Sequence, residues 1–215
     1  MSYVWFEMKS NSKIEVIDIT QNSEYERYLY KCLAPVPSRK YGKRQEYLEA
    51  AIPRGFRKKL LIFDGEIVGQ IEYAPAEMSG YPIRGSNVIV MNCIWVLRKA
   101  KGHGFGKQLL TDMIDSENKA CGFATIALEN HWSGWFRREH MEKFGFKSVD
   151  LFKVVHKTKH KGQCFKIHLM WLPTTKKADP PTWDKSKLLE GVNFCLAHPL
   201  YHPEKPTLKE ILERR

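Results

Sequence analysis

A chain of 215 residues with 35 basic and 24 acidic side chains, net charge +11, is long enough for one domain, or for one domain with an appendage. Its 43% hydrophobic and 12% aromatic content excludes a disordered polybasic chain, because that much apolar surface offsets the entropy of ordering. No apolar run reaches the ~18 residues of a membrane-spanning helix, and Met1 to Lys9 lack the layout of a secretory signal, so a cytoplasmic protein is expected.

Residues 13–19 alternate apolar and charged side chains, which predicts a half-buried strand. Thr20 to Ser23 offer N-cap chemistry for a helix over 24–33 that ends at Pro35 and Pro37, and a second helix is predicted over 43–52. Asp64-Gly65 between the β-rich runs 60–63 and 66–73 predicts a hairpin of two antiparallel strands. After a Gly- and Pro-containing loop at 75–86, the run 87–97 is apolar enough for a central strand. A basic, glycine-rich turn at 98–106 leads into a helix over 107–115, with Leu109, Leu110 and Met113 on one face. A strand at 123–128, a helix over 134–143, a turn at Gly145 and strands at 147–156 and 163–172 complete the order β-α-α-β-β-β-α-β-α-β-β. From Pro173 the pattern changes, which divides the chain into a domain over 1–172 and an extension over 173–215 packed on it, with a short helix predicted at 207–214.

The positive charge is patchy: +7 over residues 31–60, +4 over 98–107 and +5 over 146–172. Such a field suits an anionic partner, and nucleic acid, acidic protein, anionic lipid and a phosphorylated cofactor all qualify. The Lys/His-rich turn at 156–162 lacks the interleaved aromatics of a single-strand-binding surface and reads as solvated. Five cysteines without a Cys-x-x-Cys pair predict reduced thiols. Cys195, His198 and His202 offer only three ligands, with Pro199 and Pro203 interrupting any helix, so no metal is expected.

The most informative segment joins a strand end to a helix start through Lys101-Gly102-His103-Gly104-Phe105-Gly106-Lys107. Backbone N–H groups at a helix head, glycines without Cβ and the cations Arg98, Lys99, Lys101 and Lys107 together suit a phosphate or diphosphate. A nucleotide P-loop requires Ser or Thr after Gly-Lys, where Gln108 stands. A dinucleotide fingerprint requires Gly-x-Gly-x-x-Gly opening a parallel βαβ unit, whereas here Gly-x-Gly-x-Gly follows a hairpin. Mere turning needs neither three glycines nor four cations.

These residues resemble the acetyl-CoA signature of the GNAT N-acetyltransferase superfamily, Arg/Gln-x-x-Gly-x-Gly/Ala, with Lys101 in the first place and Gly104 and Gly106 matching. Glu142-Lys143-Phe144-Gly145-Phe146 is similar to a second element of that family, and the element order over 13–172 is also the family's. More narrowly, Ile71 to Glu77 and Cys93 to Val96 resemble a branch that includes YoaP-like proteins. The resemblance implies an α/β fold of the α+β type, with a mixed, mostly antiparallel central sheet flanked by helices. It implies an acyltransferase that moves an acetyl or related acyl group from acetyl-CoA to a primary amine, on a small molecule or a protein, by direct attack on the thioester.

By the same resemblance, backbone groups of Ile94 and Val96 would pair with the pantetheine arm, and Trp95 between them belongs to the cofactor-binding set. The loop Lys101, Gly102, His103, Gly104, Phe105, Gly106 and Lys107 would hold the diphosphate, and Asn130 would touch the cofactor. The chain departs from the family where a glutamate base and a tyrosine acid are usual, since Val90 and Met141 occupy those places. Substitutes in range are Glu72, Glu129 and His131, with Cys93 and Asn92 on the fourth strand itself, His140 on the fourth helix, and a base acting through water as a further option. Each has a plainer reading: Cys93 as a small buried hydrophobe, the carboxylates as strand-end charges, the histidines as surface groups. Trp132, Trp135 and Phe136 either line the acceptor pocket or pack the fourth helix. Two rival functions remain at this level, an acyl-CoA sensor without catalysis and a nucleic-acid binder, the latter not expected. Oligomeric state leaves no signal.

Overall fold

In the computed structural model the described residues are 13–31, 33, 42–132, 136–157, 161–189 and 212–214. The hairpin is built as its turn residues dictate: Asp64 and Gly65 both take positive φ, 49° and 81°, the combination that matches strand twist. It joins β2 (Arg57–Phe63) to β3 (Glu66–Pro75), and β1 (Ile14–Asp18) lines up antiparallel on β2. Between β1 and β2 run α1 (Glu26–Leu29) and α2 (Gly42–Ala51). After β3 come β4 (Ile83–Arg84), β5 (Val88–Val96), α3 (Phe105–Ser116), β6 (Gly122–Glu129), α4 (Arg138–Lys143), β7 (Lys147–His156) and β8 (Cys164–Pro173), then β9 (Thr182–Trp183) and β10 (Leu212–Arg214).

Eight strands form one sheet in the order β1-β2-β3-β5-β6-β8-β7-β10, antiparallel except for β5 against β6. This is the mixed, mostly antiparallel α/β arrangement the sequence predicts. One face carries α3 and α4 over a core that includes Ile71, Tyr73, Met91, Leu109, Leu110, Met113, Phe123, Met141 and Phe146. Burial of each such large side chain contributes about 1.5–3 kcal/mol. On the opposite face α1 and α2 cover Phe56, Leu60 and Ala74, while the loop after β3, with Tyr81 and Ile83, and Leu188 cover Val90, Ile126, Leu128 and Ile167. Ala74 sits opposite Val90, so these two clusters share a face.

Four differences from the predicted elements have local causes. The first helix is only a 3₁₀ turn at Ser23–Tyr25 and α1, because the carbonyls of Leu29 and Lys31 are captured by Arg44 and Lys58. The fourth helix starts at Arg138 rather than 134: Phe136 has φ 46°, and its carbonyl accepts from Leu128 N at 2.7 Å, pinning the chain to β6. Leu212–Arg214, predicted as helix, is a strand on β7. Residues 83–84 and 182–183, predicted as loop and tail, pair as a separate two-stranded sheet. Trp135, Cys195, His198 and His202 lie outside the described residues.

Candidate active site

Two strands define the site by parting. β5 and β6 are paired only from Val88 to Val90 against Gly122 to Ala124, and both continue well beyond, to Val96 and Glu129. Just past the last pair, Thr125 Oγ1 donates to Met91 O at 2.8 Å, a side chain standing in for the ladder. On its other edge β5 is irregular at the same level: Glu72 pairs with Cys93 and Tyr73 with Met91, leaving Asn92 as an extra residue. Such a bulge bends and twists the strand that carries it. It also switches the face to which Cys93 and Trp95 belong, placing them with Glu72 and Gln70 and away from α3.

Asn92 is fully buried and held in place, its Oδ1 accepting from Ser79 Oγ at 2.8 Å and its carbonyl from Tyr81 Oη at 3.0 Å. Leu97 N donates to Val68 O, so by alternation Leu97 and Trp95 direct their backbone groups at β3, while those of Ile94 and Val96 face the gap. Among the described residues the gap is therefore edged by unpaired β5 backbone at Ile94 and Val96, the two positions expected to pair with a pantetheine arm. Trp95 places a half-buried side chain on the far face, its buried indole N–H without a hydrogen-bond partner among the described residues.

At the end of β5 a 3₁₀ turn at Arg98–Ala100 leads to the head of α3. Gly102 and Gly104 hold φ of 93° and 75°, conformations that L-residues with a Cβ rarely adopt. The first intrahelical bond runs from Gln108 N to Gly104 O, which leaves the N–H groups of Phe105, Gly106 and Lys107 outside the ladder, with no side-chain cap. A Cβ built on Gly102, Gly104 or Gly106 would meet nothing within 4 Å, so the loop opens onto free space. His103 stacks on Phe105, centroids 5.2 Å apart, and Phe63 packs against both. Lys99 is engaged by Glu66, whereas Arg98, Lys101 and Lys107 are exposed without a carboxylate partner among the described residues. This donor set, three uncapped amides, three cations and no obstructing Cβ, fits a diphosphate.

The carboxylates predicted as bases do not stand ready for that task. Glu72 is fully buried, with Arg44 and Lys58 each 2.8 Å from its Oε1. Both cations are fully buried with it, so its carboxylate is occupied by two ion pairs. Glu129, at the end of β6, faces the α4 side and takes Lys166 at 2.9 Å, His168 at 2.7 Å and Arg138 at 3.2 Å. The Lys166 hydrogen bond does most to draw its pKa down to about 2; partial burial opposes it, and His168 and Arg138 deepen the drop. So weak a base is poorly matched to proton abstraction near neutral pH. Burial lowers the His168 pKa. The neutral ring donates from Nε2 to Glu129 and its Nδ1 accepts from Ser148 Oγ at 2.8 Å.

Cys93 is buried, 3% exposed, with Gln70 Nε2 3.9 Å from its Sγ. Asn130 follows Glu129 in a left-handed conformation, φ 61°, and is exposed. His131 packs edge-on against Phe165 and beside His156, with Trp132 exposed next to it, and His140 is exposed on α4. Val90 and Met141 are buried in apolar clusters. Phe63, Gln70 and the Asn92 bulge escaped the sequence reading, since nothing local marks them.

The sequence matches the Acetyltransferase (GNAT) family over residues 25–146, and the chain belongs to that family. It is 42% identical over 56 residues to the N-acetyltransferase YoaP of Bacillus subtilis, a match covering 26% of this chain and 22% of that protein. In structure it is similar to a GNAT-family acetyltransferase from Elizabethkingia anophelis with acetyl-CoA bound, with 18% identity and TM-score 0.50 over 74% of this chain and 97% of that one. It is similar as well to a Bacillus subtilis acetyltransferase in complex with CoA, with 18% identity and TM-score 0.51 over 76% of this chain and all of that one. At such identities the structural likeness speaks for the fold.

Proposed function

We propose that the protein is an acetyl-CoA-dependent N-acetyltransferase acting on a primary amine. The observation that carries this reading is the alignment of the open, uncapped head of α3 with the gap where β5 leaves β6. The amides of Phe105, Gly106 and Lys107 and the cations Lys101 and Lys107 would take the diphosphate, and the backbone of Ile94 and Val96 the amide-bearing arm. When bound, acetyl-CoA supplies an activated acyl carbon: the amine nitrogen forms a bond to it, the C–S bond breaks, and the thiolate leaves with the electron pair. The β5 backbone beyond the bulge is suited to donate a hydrogen bond to the oxygen that gains charge in that step. With Glu72 and Glu129 both committed to ion pairs, the amine proton leaves through water in the gap.

A cytoplasmic location and a division into a domain over 1–172 and an extension over 173–215 belong to the same proposal. Scattered cysteines without a Cys-x-x-Cys pair support the first. Pairing of β9 with β4 and of β10 with β7 supports the second. Among the described residues no helix is long and apolar enough to cross a membrane.

The committed carboxylates favour one second reading, a module that binds acyl-CoA without turning it over. Acetyl-CoA raises the melting temperature under both readings. Release of free thiol from acetyl-CoA on addition of amines is expected of the enzyme. Binding with no release across a broad amine set would leave the sensor, and no melting shift at millimolar acetyl-CoA would remove both.

A further inference from the structure

Ser148, His168 and Glu129 form a chain of hydrogen bonds that the acyl transfer proposed above leaves unused. Ser148 Oγ lies 2.8 Å from His168 Nδ1, and His168 Nε2 lies 2.7 Å from Glu129 Oε2. Lys166 and Arg138 keep Glu129 ionised, and an ionised carboxylate only accepts, so the neutral ring carries its proton on Nε2. That leaves the Nδ1 lone pair for the hydroxyl proton of Ser148. A hydroxyl, an imidazole in this tautomer and a carboxylate behind it are the groups that make a serine nucleophilic.

A bulge aims that hydroxyl. Ser148 pairs with Met170 and Asp150 with Leu169, so the ladder skips Val149. Residues two apart on a regular strand share a face, and Ser148 would then follow Asp150, whose carboxylate takes Trp183 and Lys185 on the side of Leu169. The skipped residue turns Ser148 to the face of Met170 and His168 instead. The surroundings suit an uncharged substrate. Ser148 is half-buried and His168 is buried, while Val149 and Leu151 are each 41% exposed beside them, Leu151 directly across from His168. β10 pairs with β7 only from Val154 to His156, so among the described residues no strand lies beyond the stretch that carries the hydroxyl.

We propose that Ser148 and His168 are the catalytic residues of a second, CoA-independent esterase site, with Glu129 as their positioning residue and uncharged esters of short apolar acids as substrates. Ser148 Oγ forms a bond to the ester carbonyl carbon as its proton passes to His168 Nδ1. The N–H of Val149, left over from the ladder register, is suited to donate to the carbonyl oxygen as that oxygen gains charge. The ester C–O bond then breaks, and the alcohol leaves with the electron pair and takes the proton from His168. Water attacks the acyl-serine in the same way, giving its proton to His168; the carboxylic acid departs and Ser148 regains its hydroxyl proton.

The test uses the full chain without CoA. The wild-type chain should hydrolyse para-nitrophenyl butyrate with saturation, and a fluorophosphonate probe should label Ser148, as read by peptide mass spectrometry. Ser148→Ala and His168→Gln should each lower kcat/KM for the ester at least about a hundredfold, while acetyl-CoA affinity of Ser148→Ala stays within roughly twofold. Burial does most to lower the His168 pKa, with Arg138 and Lys166 adding to it, whereas Glu129 raises it. In Glu129→Gln the inflection in ester hydrolysis against pH should therefore move to lower pH. Equal hydrolysis by the wild-type chain and Ser148→Ala overturns the proposal. So does a wild-type chain in which the probe leaves Ser148 unlabelled, a result that needs no variant to fold. An unmoved inflection in Glu129→Gln overturns the part assigned to the carboxylate.

Discussion

Glu72 on β3 and Glu129 on β6 are carboxylates either side of β5, both held by cations, and they lie on opposite faces of the sheet. Glu72 and its two partners are fully buried, whereas Glu129 keeps 21% of its side chain exposed and Lys166 31%. The difference teaches what each cluster can do. A sealed cluster cannot trade its partners for water, so it fixes backbone; a rim cluster can, so it tunes charge at modest cost.

The largest effect that would sharpen this contrast is expected from Glu72→Ala, which strands two buried cations. It should lower unfolding free energy by about 3–5 kcal/mol, read from urea denaturation. A loss under about 1 kcal/mol, the range of exposed pairs, would break the comparison by showing that water reaches the site.

Glu129→Ala should cost less, about 1–3 kcal/mol, because Lys166 and Arg138 regain solvent while the buried His168 loses its acceptor. A loss as large as that of Glu72→Ala would erase the distinction. The smallest effect concerns acid. The folded pKa of Glu129, about 2, lies below its reference of 4.5. Its contribution is therefore complete above the reference value and lost as pH falls toward 2. Melting temperature against pH should be flatter over that window in Glu129→Gln than in the wild-type chain, and parallel curves would contradict the assigned ionisation.

Most of the sheet was legible because its signals are local. The Asp64-Gly65 turn, the apolar run of β5 and the stripe Leu109, Leu110 and Met113 each speak for their own element. The glycine loop was legible for the same reason. What stayed hidden depends on partners far along the chain. The early end of α1 is set by Arg44 and Lys58, 15 and 27 residues from the carbonyls they take. The bulge at Asn92 has no marker in the β5 sequence, and pairings of two or three residues such as β4 with β9 and β10 with β7 are too short to leave a period. The basic blocks likewise depend on distant partners. Behind the +7 of residues 31–60, Arg44 and Lys58 meet Glu72, Lys59 meets Asp112 and Arg57 meets Asp18, so part of that charge is spent inside the fold and not offered to a polyanion. Both carboxylates nominated as bases were in the right strands, but their neighbours decided their chemistry.

The central claim is that the head of α3 holds the diphosphate of acetyl-CoA, and Gly106→Asp tests it most directly. Gly106 sits in the first turn of α3, where an acidic side chain favours the helix and a new Cβ meets nothing. The fold should therefore be unharmed, while a carboxylate is set against phosphate. Calorimetric titration with acetyl-CoA should give saturable binding to the wild-type chain and at least roughly thirtyfold weaker binding to the variant, about 2 kcal/mol, at an unchanged melting temperature. Equal affinity in the two chains, or no binding to the wild-type chain at millimolar acetyl-CoA, would contradict the account.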